Sequence, residues 1–147
     1  EDDSVNEIIL DNVLEHLGQS FDIFNQIIKE LYRISVHQGN IHIKVPHPRH
    51  DNFLGDPTHV RAILPQTLAL YDQERNEQWI AEKSANSPLG KIHQVNLKLH
   101  NINYILDNKY QEALQRNEVS EETLRELTAS SNNVIAEIDM HLIAIKI

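Results

Sequence analysis

The chain has 147 residues, 40% of them hydrophobic and 24% charged, and 22 acidic against 13 basic side chains leave a net charge of −9. One domain of this length buries roughly 70% of the surface its unfolded chain exposes, so a core forms without metals or crosslinks. Having no cysteine, it carries no disulfide framework, thiolate nucleophile or Cys-type metal centre; its scattered basic residues argue against nucleic acid as a partner.

Residues 5 to 35 read as one long helix. Leu10, Leu14, Leu17, Phe21, Phe24, Ile28 and Leu31 recur at alternating spacings of four and three, and Ser4 with Glu7 forms a capping box. Gly18 is the weak point of that helix. From 36 to 56 the period is lost among Gly39, Pro46, Pro48 and Gly55, which predicts a long irregular crossover. Within it Ile41 to Val45 alternates apolar and polar as a short strand does, and an isolated strand is marginal. Asp56-Pro57 predicts a helix restart, interrupted near Pro65. Ser87-Pro88 opens a third helix, with Ile92, Val95, Leu99, Ile102 and Leu106 as its stripe. Ser120 caps a fourth, with Leu124, Leu127, Val134, Ile138 and Leu142 running towards the C-terminus. The expected fold is a single all-α domain over 1–147, a four-helix bundle whose first helix joins through the crossover at 36–56. Its core is expected at Leu14, Leu17, Phe24, Ile28, Leu99, Ile102, Ile135 and Ile138.

Catalytic motifs are missing from this reading. Four glycines, at 18, 39, 55 and 90, build neither a P-loop nor a dinucleotide fingerprint, and no His-Glu-x-x-His or Gly-x-Ser-x-Gly occurs. Two histidine-bearing patterns remain. The 36–63 segment holds His37, His42, His47, His50 and His59 and carries a charge of +1, against −6 before it and −4 after it. His47, His50, Asp51 and His59 offer the imidazole and carboxylate ligands of a zinc-type site; the plain alternative is solvated loop histidines titrating near 6.5. On the third helix His93, Asn96, His100, Asn103 and Asp107 form one polar stripe, read as a ligand groove or a solvated flank.

These features predict a non-catalytic binding or assembly module without a cofactor, acting on a protein partner or on itself as a homo-oligomer. Trp79, Tyr71 and Tyr32 are its candidate anchors, and the apolar end at Ile143, Ile145 and Ile147 is its candidate contact surface. The alternative is a histidine-dependent protein binding a zinc-type metal, or a metal-assisted hydrolase. Neither nucleic acid nor membrane insertion is expected, because the longest apolar run, Leu142 to Ile145, falls far short of the roughly 20 residues a spanning helix needs. A chain beginning at Glu1 reads as trimmed, so any leader is illegible; a soluble, cytoplasmic protein is the favoured expectation.

Overall fold

The first 35 residues break where Asp11, Asn12 and Gly18 stand. In the computed structural model, which describes residues 1–146, Val5–Asp11 forms strand β1 and Phe21–Ile34 forms helix α1, with a single 3-10 turn, Leu14–His16, between them. Asn12 takes a left-handed conformation, φ 53°, just past the strand. Gly18 sits at φ 73°, and a Cβ there would stand 2.7 Å from Phe24 Cα, so only glycine fits the turn into α1. The cap of α1 is Ser20, whose hydroxyl accepts from the Ile23 N–H at 3.3 Å, not Ser4. The single long helix is thereby corrected.

The expected crossover is instead strand β2, Ser35–Pro46, followed by the short helix α2, Asp51–Leu54. Residues 57–64 run without helix, and Pro65 opens α3, Pro65–Ala69. Helix α4, Gln73–Ala81, starts on Asp72, whose carboxylate accepts from the Glu74 and Arg75 N–H groups. The third expected helix is really α5, Leu89–His93, then strand β3, Leu97–Leu106, then α6, Asn108–Gln115. The fourth begins as expected: Ser120 caps α7, Glu121–Ser130, accepting from Thr123 N–H at 3.1 Å. It ends at Ser130, and the stripe beyond it is strand β4, Ile135–Ala144.

The all-α bundle is therefore overturned. The protein is a mixed α/β fold around a four-stranded sheet ordered β1-β2-β4-β3, with β1 parallel to β2 and the other pairs antiparallel. The β1–α1–β2 crossover is a single βαβ unit. Ile41, Ile43 and Val45 of β2 face Leu142, Met140 and Ile138 of β4 across the ladder, all at most 1% exposed. Phe24, Ile28 and Leu31 of α1, with Ile63, Leu68 and Tyr71, close over that side as one core. Of the expected core, Leu14, Phe24, Ile28 and Ile138 are buried, whereas Ile102 is 38% exposed on the edge strand β3. Tyr71 is consumed internally, buried with its hydroxyl donating to Asn25 Oδ1 at 3.3 Å; Tyr32 donates to the Ile145 carbonyl at 2.8 Å. Ile147, part of the expected apolar terminus, lies outside the described residues. Among the described residues no helix is long and apolar enough to cross a membrane.

Candidate active site

Because β3 and β2 are both antiparallel to β4, the strands β1, β2 and β3 end at the same edge of the sheet. The residues just past those ends are Asn12 to His16, His47 to His50, and Asp107. In open α/β sheets this carboxyl edge is where ligands bind.

After β1 the 3-10 turn tucks Glu15 inside at 1% exposure, and neither of its carboxylate oxygens finds a hydrogen-bond partner. Its carbonyl accepts from the N–H groups of Val60, at 2.9 Å, and Arg61, at 3.3 Å, which draws the preceding His59 over the same spot. The His16 and His59 rings stand 4.6 Å apart, tilted, and Phe53 stacks on His59 at 5.2 Å. Ligand-capable atoms of Glu15, His16 and His59 all lie within 4.8 Å of one another. Beside them Thr58 donates its hydroxyl to Asp56 Oδ1 at 2.6 Å and its backbone N–H to the same oxygen at 2.9 Å. Those two bonds, in that order, hold the Asp56 carboxyl below the usual carboxylate range.

After β2 the chain is pinned by the His47 N–H donating to the Ala136 carbonyl at 2.8 Å. His47 is 8% exposed, and burial first, then the charges of Arg49 and His50, lower its pKa below the ordinary histidine value. Its Nδ1 accepts from the Arg49 N–H at 3.1 Å, so the neutral ring carries its proton on Nε2. His50 is fixed the same way: Nδ1 accepts from the Asn52 N–H at 3.1 Å, leaving Nε2–H to donate to Asp107 Oδ2 at 3.1 Å. That bond, with a second from the Lys109 N–H, lowers the Asp107 pKa. Next to this pair lies an open cleft of ≈ 630 Å³ lined by His47, Arg49, Leu64, Gln66, Tyr104 and Leu106, among others.

The sequence-stated groups fare differently in space. Of His47, His50, Asp51 and His59, the first two are buried but engaged as described, and Asp51 is exposed at the start of α2 with its N–H on Asn133 Oδ1. His59 alone of the four belongs to a cluster of metal-ligand geometry among the described residues, and its companions are Glu15 and His16. Solvation of the 36–63 histidines holds for His37, which is exposed, and in part for His42, and is corrected for the other three: His47 and His50 are buried, and the His59 side chain is 8% exposed. The polar stripe of the third helix dissolves because that helix is not formed. His93 ends α5, Asn96 lies between elements, His100 sits at a bulge in β3, Asn103 lies further along that strand, and Asp107 caps α6. Of these five only Asp107 reaches the carboxyl edge. Glu15 and His16 escaped notice inside the supposed heptad, although a polar pair between Leu14 and Leu17, after Asp11-Asn12, marks a strand that has just ended.

No protein-family profile matches the chain, and no curated protein matches it in sequence. Solved structures do match. A SAM-dependent methyltransferase from Archaeoglobus fulgidus superposes with a TM-score of 0.56 at 20% identity over 97% of this chain. The likeness is one of fold. YcgJ from Bacillus subtilis, at 13% identity over 99% of the chain, and the [4+2]-cyclase SpnF, at 11% over 98%, both reach 0.48. The chain spans 60%, 66% and 52% of those three proteins. The expected non-catalytic helical module is corrected by these findings: it rested on a bundle that is absent, and the α/β fold found in its place is shared with an enzyme.

Proposed function

We propose that the protein carrying this chain transfers a methyl group to a small polar acceptor bound at the carboxyl edge of the sheet. The observation that carries this is the gathering of Glu15, His16, His59, His47, His50 and Asp107 past the ends of β1, β2 and β3, the ligand-binding edge of open α/β sheets. The similarity in fold to a SAM-dependent methyltransferase supports the reaction class. In such a transfer S-adenosylmethionine would supply the methyl group and leave as S-adenosylhomocysteine; a hydroxyl or amine acceptor gives up a proton, whereas a carboxylate has none to lose. The residues of this chain serve the acceptor. Leu64, Tyr104 and Leu106 offer an apolar wall, while the Nε2–H of His47 offers a hydrogen bond to its polar end beside Arg49, whose guanidinium is held by the Thr128 and Ala129 carbonyls.

The methyl donor fits this chain poorly. Among the described residues β1 is the edge of the sheet, so no further strand completes a crevice beside it, and no glycine-rich turn follows a strand. No step is therefore assigned to residues holding the donor, which on this proposal lies beyond the free edge of β1.

Tritium-labelled S-adenosylmethionine, offered with a panel of small hydroxyl, amine and carboxylate acceptors, tests the assignment. Label is expected to move to an acceptor, and Tyr104→Ala is expected to raise KM more than it lowers kcat, because it removes part of the binding wall. Absence of transfer across the panel, together with absence of S-adenosylhomocysteine binding by calorimetry, overturns it.

A further inference from the structure

Glu15 presents a chemical problem that methyl transfer does not solve. A carboxylate taken out of water is strongly disfavoured unless it is paired or coordinated, and here both oxygens are buried and unpartnered. What faces it is two imidazoles, and the hydrogen bonds around each fix which nitrogen is free. Thr58 Oγ1 donates its only proton to Asp56, so its contact with His16 Nδ1 at 3.0 Å is one in which Nδ1–H donates. The lone pair of His16 is left on Nε2, which stands 3.8 Å from Glu15 Oε1. His59 Nδ1 lies 2.8 Å from the Phe53 carbonyl, an oxygen that only accepts, so in the neutral ring Nδ1 again carries the proton and Nε2, 3.8 Å from Asp56 Oδ2, the lone pair. In its neutral form each ring therefore has Nδ1 anchored to an oxygen and its lone pair on Nε2, the arrangement that orients histidines for a metal ion.

We propose that Glu15, His16 and His59 bind one divalent transition-metal cation of the zinc type. Three ligand atoms at about 2.0–2.2 Å from a tetrahedral ion stand roughly 3.3–3.6 Å apart. The observed 3.8 Å for one pair, and less than 4.8 Å for all, close to that distance by side-chain movements on the order of 1 Å. Two imidazoles with one carboxylate favour zinc, cobalt or iron over magnesium or calcium, which require oxygen donors. The carboxylate cancels one of the two charges and the buried oxygens gain the partner they lack. The His16 side chain, 35% exposed, marks the side from which solvent or an acceptor reaches a fourth position. Asp56 and Thr58 act as positioning residues, holding His16 in its tautomer.

The site rests on the orphaned carboxylate and the two fixed tautomers, not on methyl transfer, and metal binding is read without any methyl donor. The experiment is titration of the EDTA-stripped full chain with Co²⁺, followed by visible absorption, with Zn²⁺ as competitor. One Co²⁺ per chain is expected, with the absorption of a low-coordinate site and displacement by one equivalent of Zn²⁺. Glu15→Gln and His59→Ala should each weaken binding at least about 100-fold, and Thr58→Val, which leaves every ligand in place, about 10-fold. Far-UV circular dichroism confirms that each variant is folded before it is scored. Wild-type protein that gives no saturable cobalt absorption overturns the proposal, as does stoichiometric binding that Glu15→Gln leaves unchanged.

Discussion

The two faces of the sheet are made by the same strands and obey opposite rules. On one face Ile41, Ile43 and Val45 meet Leu142, Met140 and Ile138, sealed by α1 and the 63–71 segment. On the other, one residue along in each strand, Asn40, His42 and Lys44 meet Ile143, His141 and Asp139. There His42 and His141 stack with ring centroids 4.4 Å apart, and His100 approaches His141 edge-on at 5.2 Å. His141 Nε2 hydrogen-bonds Asn40 Oδ1 at 2.8 Å, and Lys44 pairs with Asp11 at 3.0 Å. A single-residue step in β2 or β4 thus separates side chains whose value lies in exclusion of water from side chains whose value depends on protonation.

The largest expected contrast is between substitutions on the two faces. Met140→Ala, at a fully buried site with no route for water, should cost about 2–5 kcal/mol in urea unfolding. A cost below half a kcal/mol would mean that the apolar face is not the core. Acid should act next, just below neutrality, through histidines whose charged form the fold disfavours. Burial, then His42 and His100, lower the pKa of His141, against the opposing pull of Asp139 and Glu7. His47, at the strand end, is lowered likewise. Both folded values lie below the unfolded one, so the unfolded chain binds more protons as pH falls. Stability should then be full above about pH 6.5 and decline below it. His141→Gln should flatten that decline; an unchanged slope between pH 7.5 and 5.5 in both His141→Gln and His47→Gln would break the comparison. Smallest of all is Lys44→Ala, which removes a half-exposed pair with Asp11 and should cost no more than about 1 kcal/mol, less in high salt.

What the sequence disclosed follows from one ambiguity in spacing. Val134, Ile138 and Leu142 lie four apart, and a step of four keeps residues on one face of a helix and on one face of a strand alike. Met140, buried between Ile138 and Leu142, and Ala144, buried just beyond them, supply the even alternation that identifies β4 as a strand. Ile41 to Val45 was legible as alternating, yet its partners, Leu142 to Ile138, lie at the far end of the chain, so nothing local announced a central strand. Start signals that act within three residues were read correctly at Ser120, while Ser4 was read as a cap that the structure places at Ser20. The same locality governs the candidate site. His59 stood out by composition, but Glu15 and His16 join it only through backbone bonds from Val60 and Arg61 to the Glu15 carbonyl, a contact no periodicity encodes.

The strand order carries a consequence for how the chain is made. The middle of the sheet, β2 against β4, joins Asn40 to His141 across 101 residues, and of the four strands β4 is the last to be synthesised. Closing so long a loop gains nothing until both ends are present, so folding should be governed by that one late pairing and be slow for the protein's size. Until then the apolar row of β2 waits beside α1 with half its partners missing. Over that interval the exposed row favours aggregation, and truncation before Ile135 should leave a species that aggregates instead of folding.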